Sequence, residues 1–328
     1  MKLLLLAFAA SAVITVIAPL LALVLGGPAE PAPMASINNP FKTVDFSGLP
    51  APKTFVARDG TRLAYREYLP RGTAARGSVV LVHGSSATGT SMHVLARALA
   101  HDGYASYALD IRGHGGSGSK GRIAYVGQLE DDLEDFRHAV ELPLPATLAG
   151  FSSGGGFVLR FAGSPRQALF SNYLLLSPYL GPYSPTTRPD SGGWASVGVP
   201  RYAVLSVLDR LGVHAFETLP VVKFSLSEQA KAFLTPQYTY ALAENFRPRH
   251  DYRANLRDAR QPMQLLVGDS DEAFRAGEYA PLLASAGQDA PVTVLPGIGH
   301  IGITLEQAAV RAALQAVGRL QLQSVANR

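Results

Sequence analysis

From residue 53 onward, the hydrophobic positions of this 328-residue chain follow two alternating patterns. Short runs of consecutive apolar residues, typical of buried strands, alternate with longer stretches whose apolar residues are spaced three and four apart, as in amphipathic helices. Strands are predicted at 77–84, 104–113, 146–150 and 171–178, and helices at 90–103 and 125–142. A hairpin with Asp59-Gly60 at its turn precedes them. The alternation predicts an α/β fold with a mostly parallel, doubly wound sheet.

The alternation lapses between residues 181 and 258. This stretch combines Pro- and Gly-rich turns with amphipathic helical pieces, such as the one at 227–246, and it contains the single tryptophan, Trp194. Strands are predicted again at 261–271 and 290–300, and a final helix at 304–324. The pattern therefore predicts a helical cap inserted at about 181–258 into a domain that spans 53–328.

The N-terminal segment has a third pattern, a nearly unbroken apolar run over residues 3–25. As a helix it would be about 35 Å long, enough to cross a hydrocarbon core of about 30 Å. Lys2 precedes the run and the next basic residue is Lys42, so the positive-inside rule leaves the N-terminus in the cytoplasm and exports the rest. We predict a signal anchor over 1–27, a transmembrane helix and a membrane-anchored protein. Cleavage near the small residues at 26–29, giving a secreted or periplasmic protein, is the alternative.

Residues 28–52 carry six prolines and are predicted to form a linker. Apolar residues make up 47% of the chain and charged residues 16%, which indicates a globular protein. The net charge of +4 is spread along the chain, and the basic stretch 247–260 is interpreted as a solvated helix face and not as a nucleic-acid site. The absence of cysteine excludes disulfides, zinc–thiolate sites and a cysteine nucleophile. No His-x-x-x-His pattern is present, and no metal is predicted.

A Gly-x-Ser-x-Gly motif occupies residues 150–154, where a predicted strand becomes a helix. In such an elbow the serine adopts an unfavourable backbone conformation that projects its hydroxyl above the sheet. The flanking glycines are required because side chains there would collide. Ser152 is therefore the predicted nucleophile, and a merely flexible turn is the simpler alternative. Ser153 does not fit the motif, since Phe151 would then occupy a position that must be small.

A serine nucleophile needs a general base, and His300 is the predicted one. It lies on the loop that leaves the last predicted strand, from which it can reach the carboxyl edge of the sheet. His93, His101 and His138 fall within predicted helices and are expected on the surface.

The base needs a carboxylate to orient it, and the preceding strand ends in three acidic residues. Asp271 is three residues past Gly268, far enough round the turn to face the histidine loop. Asp269 follows the glycine directly and is the alternative, with a role in capping the turn. The order serine, aspartate, histidine is that of the α/β-hydrolases.

Acyl transfer also requires backbone N–H groups directed at the developing oxyanion. One is predicted at Ser153, at the start of the elbow helix. The other is predicted at Ser85, with Ser86 as the alternative, on the loop after the strand 77–84. His83 in this loop is interpreted as a packing residue.

These segments together resemble a known family. "LVHGSSATGTSMHVLARALAHDGYASYALDIRGHGGSG", "LAGFSSGGG", "LLVGDSDEAF" and "GIGHIG" are similar to successive signatures of the α/β-hydrolase superfamily. The closer resemblance is to its lysophospholipase, monoacylglycerol lipase and serine aminopeptidase (S33-type) branch. The resemblance implies an α/β-hydrolase fold, a triad of Ser152, Asp271 and His300, and a cap at 181–258.

The predicted function is a serine hydrolase that cleaves small-molecule or lipid-derived carboxylic esters without a cofactor, and the sequence leaves its oligomeric state open. A serine aminopeptidase is the first alternative, and it would need an acidic residue such as Glu228 or Glu244 to hold the substrate amine. A non-catalytic binding protein of the same fold is a second alternative. Apolar cap residues form either an acyl channel or the core of the cap itself: Trp194, Val221, Phe224 and Phe233.

The segment 113–118, "GHGGSG", also fits the Gly-x-Gly-x-x-Gly fingerprint of dinucleotide-binding folds. In that fingerprint the last glycine opens a helix whose N-terminus binds the pyrophosphate. No helix is predicted until about residue 125. The segment is therefore interpreted as the loop after a strand, and an oxidoreductase is not favoured.

Overall fold

A computed structural model describes residues 1, 13–32, 41, 43–72, 74–189 and 193–326. Eleven strands lie in these residues: β1 (Lys53–Val56), β2 (Arg62–Tyr68), β3 (Ser78–Val82), β4 (Ala105–Leu109), β5 (Ala146–Phe151), β6 (Asn172–Leu176), β7 (Ala195–Val197), β8 (Pro220–Phe224), β9 (Gln237–Thr239), β10 (Met263–Gly268) and β11 (Val292–Leu295).

The α-helices of the described residues are α1 (Ala18–Leu25), α2 (His93–His101), α3 (Gln128–Ala139), α4 (Ser153–Ala162), α5 (Val199–Arg210), α6 (Glu228–Phe233), α7 (Tyr240–Asn245), α8 (Tyr252–Asp258), α9 (Tyr279–Ser285), α10 (Gly302–Leu305) and α11 (Gln307–Ala326).

The central sheet has eight strands in the order β1-β2-β4-β3-β5-β6-β10-β11. Only β1 with β2 and β2 with β4 are antiparallel, and the other neighbouring pairs are parallel. The central strands β3, β4, β5 and β6 are buried along their whole length, as expected for a sheet covered on both faces. The predicted mostly parallel sheet is confirmed.

Two hydrophobic clusters cover the two faces of this sheet. One contains buried residues of α3, α4 and α9 packed on the sheet, and the other contains residues of α2 and α11. The order of the sheet reverses beside β3, so the loops that follow β3 and β5 open onto a crevice at the carboxyl edge. Ligands of open α/β sheets bind in such crevices.

The segment between β6 and β10 contains the predicted helices and, in addition, a small antiparallel sheet in the order β7-β8-β9. The sequence pattern suggested a long helical piece over 227–246. Instead α6 ends before Pro236, β9 follows, and α7 begins at Tyr240. Proline lacks a backbone N–H and disfavours a helical conformation at the residue before it, so the helix is interrupted here. We refer to residues 193–258 as the cap.

The described residues of the N-terminal segment do not form the predicted membrane-spanning helix. Residues Val13–Ile17 form one π-helical turn, and the eight-residue α1 is about 12 Å long. Within the described part of the chain, no helix is both long and apolar enough to cross a bilayer. Residues 2–12 of the predicted anchor lie outside the described residues. The predicted membrane-anchored location is therefore wrong, and the membrane is not supported as a partner.

Arg201 of the cap accounts for where α1 lies. Its guanidinium, in a residue only 9% exposed, donates hydrogen bonds to the carbonyls of Leu23 at 2.8 Å and Val24 at 2.9 Å. The backbone N–H of Arg201 donates to the carbonyl of Gly26 at 3.3 Å. These bonds satisfy carbonyls at the C-terminal end of α1 that have no partner within the helix. They dock α1 on α5, next to the cap.

The prediction that His93 lies on the surface is also wrong. The residue is completely buried at the start of α2, and its Nδ1 lies 3.0 Å from the hydroxyl of Tyr68. His101, at the end of the same helix, is exposed. The difference arises because His93 faces Tyr68 of β2, whereas His101 is the last residue of α2 and lies on its exposed side.

Candidate active site

The turn between β5 and α4 has the geometry of a nucleophile elbow. Ser152 has φ 55° and ψ −120°, a conformation that residues with a side chain rarely adopt. Its N–H donates to the carbonyl of Leu176 on β6 at 3.0 Å, and its carbonyl accepts from the N–H of Tyr179 at 2.9 Å. These bonds to the neighbouring strand and to the loop after it hold the strained backbone, so that the Ser152 side chain faces a large cavity.

The two motif glycines are required by close approaches of backbone. A Cβ at Gly150 would lie 2.3 Å from the carbonyl oxygen of Gly154, and one at Gly154 would lie 2.2 Å from that of His83. Both distances are far below any real contact. The turn therefore closes only with glycine at these two positions, for the steric reason that the motif suggests.

His300 lies on the loop between β11 and α10, with Ser152 on one side of its ring and Asp271 on the other. Its Nε2 is 3.1 Å from Ser152 Oγ, and its Nδ1 is 2.9 Å from Asp271 Oδ2. An ionised carboxylate only accepts hydrogen bonds, so Nδ1 carries the proton and Nε2 is free to accept one from the serine. The structure thus brings the predicted nucleophile, base and carboxylate into one hydrogen-bonded chain.

Asp271 is held rigidly on the loop after β10. Its Oδ1 accepts hydrogen bonds from the backbone N–H groups of Ala273 at 2.9 Å and Phe274 at 2.8 Å. Burial alone would raise the pKa of Asp271, but the hydrogen bond and the charge of His300, together with the Phe274 N–H, lower that pKa below its usual value. The carboxylate is therefore kept ionised beside the imidazole.

Asp269, the alternative carboxylate, points elsewhere. Its Oδ1 accepts from the backbone N–H of Gly297 at 2.7 Å and from the hydroxyl of Ser270 at 2.9 Å. It ties the loop after β10 to the loop after β11. The neighbouring Glu272, to which the sequence assigned no distinct role, accepts the backbone N–H of His300 at 2.9 Å. Both acids therefore support the histidine loop, and Asp271 is the one on the imidazole.

Two backbone N–H groups beside Ser152 have no acceptor among the described residues, those of Ser85 and Ser153. Ser153 is the first residue of α4, so its N–H lies at the positive end of the helix dipole. The two residues are adjacent in space, since their hydroxyls are hydrogen-bonded to each other. This pair is the arrangement expected of an oxyanion hole.

Ser86, the alternative donor, is already engaged. Its backbone N–H donates to the hydroxyl of Tyr238 at 2.5 Å, and it has a φ of 65°. His83 packs beneath this loop, as the sequence suggested. Its Nδ1 lies 2.7 Å from the carbonyl of Gly84, and its Nε2 accepts from the N–H of Ile111 at 3.2 Å.

A cavity of about 2330 Å³ lies between the cap and the carboxyl edge of the sheet. Ser85, Ser152 and His300 contribute to its floor, and the cap contributes walls that are largely apolar. Three of the four apolar cap residues singled out in the sequence line it: Trp194, Phe224 and Phe233. Val221 is instead fully buried in the core of the cap with Leu205 and Tyr240. Val221 therefore belongs to the core of the cap. Phe224 does both, since it lines the cavity and also belongs to a buried hydrophobic cluster.

The two acidic cap residues proposed to bind an amine both have cationic partners. Glu228 is mostly exposed and pairs with Lys231 at 2.8 Å. Glu244 is bound by both the hydroxyl of Tyr202 and the guanidinium of Arg247. Neither offers an unpaired carboxylate to the cavity.

One cluster in the described residues has the composition of a metal site. Asp209, His214 and Glu217 each bring one ligand atom within 4.8 Å of the others. The cluster satisfies its own charges, because His214 Nδ1 lies 2.7 Å from Glu217 and 3.4 Å from Asp209. These contacts explain why the three side chains lie together: they form a local ion-pair cluster in the cap.

Comparison with known proteins places this geometry in a family. The chain matches the family model described as serine aminopeptidase, S33, over residues 73–307. It is 34% identical to a monoacylglycerol lipase of Mycolicibacterium smegmatis over 131 residues, which cover 38% of this chain and 45% of the lipase. The matched segment thus spans less than half of that relative. The chain is also 33% identical over 167 residues to a human protein designated a protein-lysine deacylase, ABHD14B, with 49% of this chain and 75% of that protein covered.

Solved structures with the same fold include two lipases. A soluble variant of the Saccharomyces cerevisiae monoglyceride lipase, in complex with a substrate analog, superposes with a TM-score of 0.64 at 17% identity, covering 85% of this chain and 98% of the lipase. The Paleococcus ferrophilus monoacylglycerol lipase superposes with a TM-score of 0.59 at 20% identity, covering 79% and 99%. At these identities the likeness concerns the fold. Taken with the family match, it means that the chain is a hydrolase that belongs to the α/β-hydrolase superfamily, in its S33 serine aminopeptidase family.

Proposed function

We propose that the protein is a serine hydrolase that cleaves carboxylic esters through an acyl-enzyme. The observation that carries the proposal is the chain Ser152 Oγ–His300–Asp271, with contacts of 3.1 and 2.9 Å, on the floor of a largely apolar cavity. With its proton on Nδ1, the imidazole of His300 is oriented to accept the serine proton and so to act as the general base.

In the first half of the reaction, Ser152 Oγ attacks the acyl carbonyl while His300 Nε2 takes the hydroxyl proton. Asp271 stabilises the imidazolium that results, because it is held ionised next to Nδ1. The backbone N–H groups of Ser85 and Ser153 stabilise the oxyanion of the tetrahedral intermediate. Collapse of that intermediate expels the alcohol, which receives the proton from His300.

In the second half, water takes the place of the alcohol. His300 Nε2 removes a proton from the water as it attacks the acyl carbonyl of Ser152, and it returns the proton to the serine when the acid leaves. Each half therefore uses the same oxyanion donors and the same base. Apart from the attacking water, the proposed reaction uses only residues of this chain.

The cavity favours substrates with an apolar acyl group. Its walls include Trp194, Phe224 and Phe233. An acyl chain that packs against these side chains is removed from water, which stabilises the bound substrate. An alkoxide leaving group demands less of the general acid than an amine does. A lipid-derived monoester fits both features, and two of the proteins with this fold are monoacylglycerol lipases.

A serine aminopeptidase or another amide hydrolase is the second candidate, favoured by the name of the matching family and by the deacylase relative. Recognition of a free amino terminus calls for an unpaired carboxylate in the cavity. Two acids line it among the described residues, and the first, Asp110, accepts the N–H groups of Gly89 and Gly116 at 2.8 and 2.9 Å. Glu272, the other, is bound to the His300 N–H. These contacts favour the ester.

The test measures hydrolysis of p-nitrophenyl esters with acyl chains of two to sixteen carbons, with an aminoacyl p-nitroanilide alongside. We expect turnover of the esters with a maximum at a medium or long chain, and stoichiometric labelling of Ser152 by a fluorophosphonate. Turnover of the anilide in excess of every ester would replace the proposal by the aminopeptidase. If the protein hydrolyses neither substrate and Ser152 is not labelled, the non-catalytic alternative holds.

A further inference from the structure

The cap is hydrogen-bonded to the loop that carries the candidate oxyanion donor Ser85. The next residue, Ser86, makes three bonds to the segment 235–238. Its N–H donates to Tyr238 at 2.5 Å, its hydroxyl donates to the carbonyl of Thr235 at 2.7 Å, and its own carbonyl accepts the N–H of Thr235 at 2.8 Å. Every hydrogen-bonding atom of Ser86 except the acceptor side of its hydroxyl is thus tied to the cap.

These bonds hold an unfavourable backbone conformation. Ser86 has a φ of 65°, in the left-handed region that non-glycine residues occupy only when their surroundings impose it. The ψ of Ser85 and the φ of Ser86 set the orientation of the peptide group between them, which carries the Ser86 N–H. The Ser85 N–H belongs to the preceding peptide group, but Ser85 joins the two groups. A relaxation at Ser86 would therefore shift Ser85, and its N–H would move with it.

The Tyr238 hydroxyl is in turn held by His114. Nε2 of His114 lies 2.6 Å from that hydroxyl, and Nδ1 lies 3.2 and 3.3 Å from the carbonyls of Ile111 and Arg112. Carbonyls only accept, so Nδ1 carries the proton and Nε2 accepts the proton of Tyr238. Tyr238 then has its oxygen lone pairs directed to the Ser86 N–H. The chain has one polarity throughout, from Ser86 through Tyr238 and His114 to the backbone.

His114 has no other chemistry to perform. It is fully buried, and burial lowers its pKa well below the usual range, which keeps the imidazole neutral. It belongs to the GHGGSG segment, 113–118, for which the dinucleotide interpretation failed. Two more bonds join this loop to the cap: the Thr235 hydroxyl donates to the carbonyl of Gly113 at 3.1 Å, and the Thr239 N–H donates to that of Gly121 at 2.9 Å.

We propose that Tyr238 and His114 are positioning residues for the oxyanion hole: they hold Ser86 in its left-handed conformation and thereby direct the Ser85 N–H at the substrate. The inference rests on the proposed function. Because Tyr238 lies on β9, the inference makes the oxyanion hole depend on the cap. The Ser85 N–H is correctly oriented only when the cap is packed against the loop after β3. Tyr238 itself cannot donate to the oxyanion, since its only proton is given to His114.

The experiment compares Tyr238→Phe with the parent enzyme on one p-nitrophenyl ester, with rates expressed per active site titrated by a fluorophosphonate. The phenylalanine keeps the ring and its packing and removes only the hydroxyl. We expect kcat to fall about 10- to 100-fold, less than the loss of a whole oxyanion donor, with KM within about threefold. The affinity for an alkyl boronic acid, which forms a tetrahedral adduct with the serine, should fall by the same factor as kcat/KM.

Tyr240→Phe is the matched control. Tyr240 is another buried cap tyrosine, in the element after β9, but its hydroxyl makes only long contacts of 3.3 and 3.4 Å with Asp209 and Ser206. It makes no bond to the oxyanion loop, and its kcat should stay within about twofold of the parent value. If both variants lose kcat equally, Tyr238 has a general structural role and the inference is overturned.

His114 provides the second variant, in case Tyr238→Phe does not fold. His114→Leu removes the acceptor of the Tyr238 proton and should lower kcat in the same way, whereas His114→Gln keeps an acceptor and should recover part of it. Parental kcat in Tyr238→Phe, or equal kcat in the two His114 variants, would overturn the inference while leaving the proposed function intact. An inactive, unlabelled parent enzyme would instead overturn the proposed function, and the inference with it.

Discussion

Two of the hydrogen-bonded chains that run through a histidine can be compared, one at His300 and one at His114. The first joins a serine hydroxyl, the imidazole and the Asp271 carboxylate, and it borders the cavity. The second joins the Ser86 N–H, the Tyr238 hydroxyl, the His114 imidazole and backbone carbonyls. Its imidazole is fully buried, although Ser86 and Tyr238 also line the cavity. The two chains have similar geometry, but only the first has a carboxylate next to its imidazole.

The difference lies in what faces Nδ1. Next to His300 there is a carboxylate whose pKa is held low, so a positive charge on the imidazole has a partner. Next to His114 there are two carbonyl dipoles in a site without solvent, and the pKa of the imidazole is lowered well below its usual value. A buried histidine without a counter-charge stays neutral, and its imidazole serves only as a fixed hydrogen-bonding group. A carboxylate beside the imidazole gives it a counter-charge, which the proposed role of His300 as general base requires.

The largest expected effect tests the first chain at its serine. Ser152→Ala should lower kcat by about 10⁶-fold, as loss of a triad nucleophile does, without a change in the thermal unfolding midpoint beyond a few degrees. The reason is that no other hydroxyl lies within reach of His300 Nε2 among the described residues. Steady-state hydrolysis of a p-nitrophenyl ester measures it. A variant that keeps a hundredth of the parental kcat would exclude Ser152 as the nucleophile.

The next largest effect is expected when the Asp271 carboxylate, which distinguishes His300 from His114, is replaced by a neutral group. Asp271→Asn should lower kcat by about 10⁴-fold, because a neutral amide neither fixes the Nδ1–H tautomer nor stabilises the imidazolium. Asp269→Asn, on the acid that binds the Gly297 N–H, is the control and should cost far less. Equal losses in the two variants would mean that the carboxylate partner has been misassigned.

The same aspartate gives a smaller effect on stability that depends on pH. A carboxyl whose pKa is lower in the folded than in the unfolded state stabilises the fold above its unfolded pKa, and that contribution is lost as the pH falls through the folded pKa. Urea unfolding at pH 7 should therefore find Asp271→Asn less stable than the parent by about 1–3 kcal/mol. The difference should shrink steadily below about pH 4. A difference that is constant from pH 7 to pH 2 would contradict the lowered pKa.

The smallest effect is expected from a substitution that removes the Ser85 hydroxyl and keeps its backbone N–H. Ser85→Ala removes the hydroxyl bond to Ser153 but leaves the N–H that is proposed to bind the oxyanion. The kcat should stay within about threefold of the parent value, well above that of Tyr238→Phe. A loss of 100-fold or more would assign the donor role to the hydroxyl and would remove the reason for holding Ser86 in place.

Much of the first chain could be predicted from sequence because its parts lie close to regular elements. The elbow follows β5 directly, and Asp271 and His300 follow β10 and β11. Since parallel strands end at the same edge of a sheet, residues just past those ends must meet. Choosing Asp271 over Asp269 needed only a count of residues round a turn, and in the structure it is Asp271 that contacts His300.

The second chain gave no comparable signal. Tyr238 is 152 residues from Ser86 in sequence and reaches it only because the cap folds back over the sheet. The pattern around Tyr238 suggested a helix, whereas the residue lies on a three-residue strand. His114 stood in a recognisable motif, but the segment was interpreted only as the loop after a strand, which gave no indication of a contact with the cap. Side chains of the cap have no repeating pattern that fixes their distance from the sheet.

The apolar N-terminal run illustrates the same limit. Hydropathy counts apolar residues but does not register what they pack against, and it suggested a membrane span where the described residues show a short helix bound to Arg201. The sequence by itself determined the parallel sheet, the elbow and the order of the chemical groups along its edge, because these depend on local periodicity and on strand ends. Only the tertiary structure decided how the cap packs on the sheet, where α1 lies and that His114 has a structural role. These features depend on contacts between distant segments, which no local pattern encodes.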